Sequence, residues 1–339
     1  MNGARRWARR LLRGALGSLL LYLLVALALV GLGRPAEQPS SGAGTAFNAV
    51  ERKPLAGLPA PHYYTAADGQ RLAYRYYPAR HEHAPALILI HGARAYGGYL
   101  HPLALRLSDA AHVYAPDLRG HGPQPKRRGD VDYVGQLEAD LNALLALVRR
   151  QHPGQAVILG GHSAGGGLVI RHAGGRGNAP VDGHLLLAPY IHYQAPTQGE
   201  KVSAWASPNI PRMIGLTMLS RLGLTALNHL PVLHFHMPRE LRDGTETLDY
   251  SYRLQRSLQP RMDYVEDLAA LERPLRVLVG EDDESFRARA YPALFARHAP
   301  QAEVSLLPGL GHLDLIAAET SATEISRWLT SCCETRVAR

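Results

Sequence analysis

Cysteine is almost missing from this 339-residue chain: only Cys332 and Cys333 occur, and neighbours cannot be bridged without strain. A disulfide framework is therefore excluded. The pair reads as two incidental thiols at the end of a helix and leaves the redox compartment open. Acidic residues are absent from the first 34 positions, which hold Arg5, Arg6, Arg9, Arg10, Arg13 and Arg34. That imbalance supplies most of the net charge of +8, since the remainder carries 31 basic and 29 acidic residues. A body so nearly neutral gives no basic face for nucleic acid. No segment repeats at a fixed period, which excludes a solenoid. With 46% hydrophobic and 19% charged residues the chain can fill one large α/β domain or two smaller ones.

What is present begins at the N-terminus. After the basic residues 1–13 comes an uncharged run, GALGSLLLYLLVALALVGLG (14–33). As a helix its 20 residues reach about 30 Å, the thickness of a bilayer core. The arginines would hold its start in the cytoplasm and send the rest across. The reading is a retained signal anchor, with the catalytic domain on the far side. The alternative is a secretory signal cleaved near Ala28 or Gly33. Residues 34–61, poor in apolar side chains, read as a flexible linker.

From residue 62 to about 335 the pattern is that of one domain. YYTAADGQRLAYRYY (63–77) is two alternating runs around Asp68-Gly69, a hairpin signal. Six short apolar runs follow: ALILIHG (86–92), HVYAPDLRGHG (112–122), AVILGGHS (156–163), HLLLAPY (184–190), LRVLVGEDD (275–283) and AEVSLLPG (302–309). Such runs suit strands buried on both faces of a parallel sheet, and helical patterns separate them, at 133–150 for example. The fold class is α/β, a mostly parallel doubly wound sheet with its site at the carboxyl ends of the strands. Between about 191 and 267 the rhythm breaks. Helical apolar pieces there predict a helical cap insertion. Met213, Met218, Met237 and Met262 lie in it, either to receive a greasy substrate or to pack the cap's own core.

The third run ends in VILGGHSAGGG (157–167). No lysine follows the glycines, so it is not a phosphate-binding P-loop, and no register supplies Gly-x-Gly-x-x-Gly. Gly161-His162-Ser163-Ala164-Gly165 does fit Gly-x-Ser-x-Gly, in which small neighbours let a strained strand-to-helix turn present a serine. An activated serine needs a base, and the base an orienting acid. Asp282 and Asp283 follow the next-to-last run and His312 the last, so the order serine, acid, histidine is the one expected. The amide of Ala164 and that of Ala93, after His91-Gly92, are the candidate oxyanion donors.

HGA (91–93), DLRGHG (117–122), GHSAG (161–165), VGEDD (279–283) and GLGH (309–312) together resemble the α/β-hydrolases, in the lysophospholipase, monoacylglycerol lipase and serine-aminopeptidase-like branch. The resemblance covers about residues 60–330. It implies an ester hydrolase with a lid, the nucleophile on Ser163, the acid on Asp283 rather than Asp282, the base on His312, and oxyanion amides on Ala93 and Ala164. Lipid-like or monoacyl esters are the expected substrates. An acyltransferase and a catalytically silent binding protein are the alternatives. No organic cofactor is expected. Nor is a metal: His229, His234 and His236, like His81-Glu82-His83, lack the spaced His-Glu-x-x-His pattern and read as packed or surface histidines.

Overall fold

The computed structural model describes residues 2–33, 56–199 and 205–337. Most of the expected linker lies outside the described residues, as does the side chain of Cys333. Each of the six apolar runs forms a strand of one eight-stranded sheet. The hairpin strands β1 (His62–Thr65) and β2 (Arg71–Tyr77) are antiparallel, and β2 lies antiparallel to β4 (His112–Pro116). Beyond it β3 (Ala86–Ile90), β5 (Val157–His162), β6 (Gly183–Leu187), β10 (Leu275–Gly280) and β11 (Ala302–Leu307) continue in parallel, giving the order β1-β2-β4-β3-β5-β6-β10-β11. Parallel neighbours need crossovers, and helices supply them: α2 (His101–Leu107), α3 (Gln136–Gln151), α4 (Ala164–Ala173) and, before β11, α8 (Tyr291–His298). The inner strands β3, β4, β5, β6 and β10 are buried along their whole length. β11 departs from the expectation of burial on both faces. It is the edge strand, so one side of it stays half exposed.

Register does the positioning. β3 and β6 flank β5, with Ile90 opposite Gly161 and His162 opposite Leu187. The chain therefore leaves β3 at His91-Gly92 directly beside Ser163.

The segment between β6 and β10 adds a small sheet to the helices expected of the cap. It holds helices α5 (Ile210–Arg221), α6 (Tyr252–Ser257) and α7 (Tyr264–Ala269). It also holds an antiparallel sheet of β7 (Ala206–Pro208), β8 (Pro231–Phe235) and β9 (Asp249–Ser251). These strands are three to five residues long with mixed exposure, too short to leave a period in the sequence.

α1 (Asn2–Leu32) is one continuous helix, so Arg5, Arg6, Arg9, Arg10 and Arg13 stand on the same rod as the apolar run. From Arg5 to Leu32 it is long and apolar enough to cross a membrane. Its second half docks on α5. Ala26 and Val30 pack with Leu216, Leu219, Val232 and Tyr252, and Met213 and Met218 lie against this cluster. Contact is close because Gly215 has no side chain: a Cβ there would fall 2.5 Å from the Ala26 carbonyl oxygen. Arg212 donates to the carbonyls of Val30 and Gly33, at 3.3 and 2.9 Å.

Burial also sets an acid limit on the fold. Desolvation holds His91 and His172 down to about 4 and His184 to about 3. Rings that are neutral when folded but ordinary when unfolded take up protons first in the unfolded chain. Stability is then complete above pH about 6.5 and is lost as pH falls. Each of the three removes roughly 2 kcal/mol by pH 5, at about 1.4 kcal/mol per pH unit. Calorimetry should find Tm several degrees lower at pH 5 than at pH 7.5; a flat profile would contradict this account.

Candidate active site

Ser163 follows β5 and precedes α4, with φ 54° and ψ −119°. A serine takes positive φ only where its surroundings over-determine it. Here three main-chain bonds do so. The Ser163 N–H donates to Leu187 O at 2.9 Å, while the Ser163 carbonyl accepts from Tyr190 N at 2.9 Å and Gly167 N at 3.1 Å. The turn also needs bare backbone around it. A Cβ on Gly161 would lie 2.4 Å from the Gly165 carbonyl carbon, and one on Gly165 would lie 2.5 Å from the carbonyl oxygens of Ile90 and His91. Gly166 and Gly167 have the same use one step on, since they abut Pro189 and the Tyr190 carbonyl.

Asp283 stands in the turn after β10. Asp283 Oδ2 accepts from His312 Nδ1 at 2.8 Å, and its Oδ1 accepts from the amides of Ser285 and Phe286, both at 2.8 Å. The Asp283 and His312 side chains are 0% and 2% exposed, so this pair is shielded from solvent. With the proton on Nδ1, Nε2 is the basic nitrogen of His312. Asp282, the other carboxylate of the sequence reading, is exposed. The structure thus brings Asp283 to His312 and leaves Asp282 outside.

Ser163 and His312 line one narrow cleft, together with Ala93, Tyr99, Trp205 and Phe286. Trp205 comes from the segment between β6 and β10. Ala164 opens α4 directly after Ser163. Among the described residues, neither the Ala93 nor the Ala164 amide makes a main-chain hydrogen bond in a turn or loop. None of the four methionines lines the cleft. Met213 and Met218 pack between α1 and α5, Met237 is buried and Met262 is exposed.

His162 is a residue that sequence reasoning passed over. Its Nε2–H donates to the His312 carbonyl at 3.0 Å, and its Nδ1 accepts from the Tyr99 hydroxyl at 3.4 Å. The two histidine rings lie 4.6 Å apart. Burial, and then the neighbouring His312, push His162 well below the usual histidine range. A neutral ring with a fixed tautomer therefore braces the main chain of His312. The only signal was its place inside the elbow motif, where any residue is allowed. In DLRGHG, Asp117 accepts from Arg75 at 3.0 Å and from the Gly97 amide at 2.8 Å, a loop-shaping part. His234 bonds to Asp249 and His236 to Ser207, both on the small sheet.

Comparison with known proteins agrees with this architecture. The family described as serine aminopeptidase, S33, matches residues 81–317. A monoacylglycerol lipase of Mycolicibacterium smegmatis is 28% identical over 132 residues, 39% of this chain and 47% of that protein. The chain thus aligns with about half the length of this curated relative. Two solved structures share the fold. A soluble variant of monoglyceride lipase from Saccharomyces cerevisiae, in complex with a substrate analogue, has 19% identity and TM-score 0.64, covering 88% of this chain and 99% of that one. A membrane phospholipase A described as a bacterial virulence factor has 18% identity and TM-score 0.53, covering 97% and 98%. The sheet is that of the α/β-hydrolases.

The elbow geometry makes its own prediction. Gly165→Ala should force α4 away from β3 and abolish labelling of Ser163 by a fluorophosphonate probe. It should also cost about 2–4 kcal/mol of stability, in the range of core overpacking and beyond. Denaturant titration and gel fluorescence would check both; wild-type labelling would show that the close approach is not required.

Proposed function

Because the chain belongs to the serine aminopeptidase, S33, family of hydrolases, we propose that it is a membrane-anchored serine hydrolase of carboxylic esters, acting through Ser163, His312 and Asp283. The observation that carries this reading is the shielded Asp283–His312 bond of 2.8 Å, with His312 lining the same cleft as a serine held at φ 54°. Residues 62–335 form the catalytic domain in this proposal, with 191–267 as its cap.

The chemistry follows from the groups present. His312 Nε2 takes the proton of Ser163 as Oγ attacks the ester carbonyl. The resulting oxyanion is met by the amides of Ala93 and Ala164, and the α4 N-terminus beside it favours negative charge. Collapse of the tetrahedral intermediate expels the alcohol, which receives its proton from His312 and leaves an acyl-Ser163. Water then gives a proton to His312 and attacks the acyl carbon, and the acid departs as Ser163 is reprotonated. Asp283 fixes the tautomer and stabilises the charged imidazole.

Lipid-like or monoacyl esters are the proposed substrates. The support is the apolar wall formed by Trp205, Phe286 and Leu313, and the naming of the relatives as monoacylglycerol and monoglyceride lipases. Retention of the anchor is favoured by the docking of α1. Cleavage near residue 28 or 33 would strip most of it away and leave Leu216, Leu219 and Val232 bare beneath it. In this reading the N-terminus is cytoplasmic and the domain lies across the membrane.

Ser163→Ala should lower p-nitrophenyl ester turnover at least about 10⁴-fold, and Asp283→Asn about 10³- to 10⁴-fold, whereas Asp282→Asn should stay within about twofold. Full activity in Ser163→Ala would end the proposal. Across esters of rising chain length kcat/KM should climb at least fivefold from acetate to octanoate, about 1 kcal/mol; a steep preference for acetate would remove the lipid assignment. N-terminal sequencing of the membrane-bound protein should begin at or next to Met1.

A further inference from the structure

A second strained residue stands in the loop after β3. Arg94 has φ 67°, a conformation its surroundings must impose. Those surroundings come from the segment between β6 and β10. The Arg94 N–H donates to the Tyr250 hydroxyl at 2.8 Å, and the Thr247 N–H donates to the Arg94 carbonyl at 3.0 Å. The direction of the next bond can be worked out. His121 Nδ1–H is committed to the Arg119 carbonyl at 3.1 Å, so Nε2 is an acceptor. The Tyr250 hydroxyl therefore accepts from Arg94 and donates to His121 Nε2 at 2.6 Å. This relay needs a neutral His121, and burial, aided by His91, keeps it so. Tyr250 is 1% exposed, with its ring edge-on to Phe235 at 4.8 Å and to His121 at 5.2 Å.

We propose that Tyr250 is a positioning residue of the oxyanion loop: by holding the strained Arg94 it fixes Ala93 beside Ser163. The inference rests on the serine-hydrolase reading above and adds a part to it. Tyr250 touches no reacting atom. It acts on the peptide next to one, and the distances leave little play. Neighbouring contacts close the same loop. The Leu118 amide donates to His91 Nε2 at 3.1 Å, and His91 Nδ1–H reaches the Gly92 carbonyl at 2.8 Å. HGA and DLRGHG are thereby tied to each other, and Tyr250 and Thr247 tie both to the segment between β6 and β10.

Tyr250→Phe keeps the ring and removes only the hydroxyl. Losing an oxyanion donor outright costs about 10²–10³ in turnover, and mis-aiming one costs less. On a short soluble ester kcat should fall about 10- to 100-fold with KM within about twofold, the split expected when only transition-state binding is lost. Affinity for an alkylboronic acid, which imitates the tetrahedral intermediate, should fall by a similar factor. In that background Arg94→Gly should restore kcat at least about threefold, because glycine adopts φ near 67° unforced. A mere packing role would give no such rescue. Wild-type kcat in folded Tyr250→Phe, or no response to Arg94→Gly, overturns the proposal. If Tyr250→Phe does not fold, His121→Asn tests the relay from its other end. It should lower kcat about 3- to 10-fold at unchanged KM, and unchanged kcat overturns the proposal equally. Failure of the hydrolase reading looks different: wild-type protein would show no Ser163-dependent turnover and no fluorophosphonate labelling, and the proposal would fall with it.

Discussion

The left-handed backbone at Ser163 is the constraint to which the surrounding structure answers. A serine pays about 1–3 kcal/mol to stand at positive φ, so something must hold it there. Leu187, Gly167 and Tyr190 do so through main-chain bonds, which requires β6 beside β5 and α4 directly after the turn. Both demands forbid side chains at Gly161 and Gly165. The sheet order, the crossover helix and the glycine-rich sequence are thus one solution to one local problem. Three non-glycine residues have positive φ among the described residues, namely Arg94, Ser163 and Ala188. Each follows the carboxyl end of a sheet strand, and Arg94 and Ser163 line the cleft.

Around this centre the protein uses buried polar groups as braces. Arg119, 4% exposed, grips Asp140 of α3 with two nitrogens at 2.8 Å and Asp68 of the hairpin turn at 2.9 Å. Removing one partner of such a buried pair typically costs about 3–5 kcal/mol, because the other is left charged in a dry place. Arg75 and Asp117 do the same between β2 and the loop after β4. Histidines are used differently: His91, His121 and His162 are kept neutral by burial, so each offers one donor and one acceptor in a known direction. The arginines set the separations of the loops, and the histidines set their orientations.

Much of this was legible in the sequence, for physical reasons that differ by residue. The strands were readable because inner strands of a parallel sheet are apolar on both faces, and only β11, at the edge, read as more buried than it is. The hairpin was readable from Asp68-Gly69, since Gly69 takes φ 81° at the turn. Asp283 required a resemblance to separate it from Asp282, because both carboxylates follow the same strand and only the fold decides which one turns inward. The sheet of β7, β8 and β9 was not legible, its strands being too short to show a period. Nor were Arg94, Tyr250 and the bracing part of His162. Their importance lies in contacts between distant segments, and nothing in the types of neighbouring residues records such a contact.

The Arg94–Tyr250 bond joins residues 156 apart in sequence, and the His162–His312 bond joins residues 150 apart. Contacts of that span carry the closure entropy of a long loop. A chain emerging from the ribosome would complete its serine elbow well before it possessed Tyr250, Asp283 or His312. It would carry the strained Ser163 turn without the Asp283–His312 pair and without the Tyr250 bond on Arg94. The assembled cleft is therefore a property of the finished molecule. On the proposed mechanism, the nascent chain holds no activated serine until the last strand is in place.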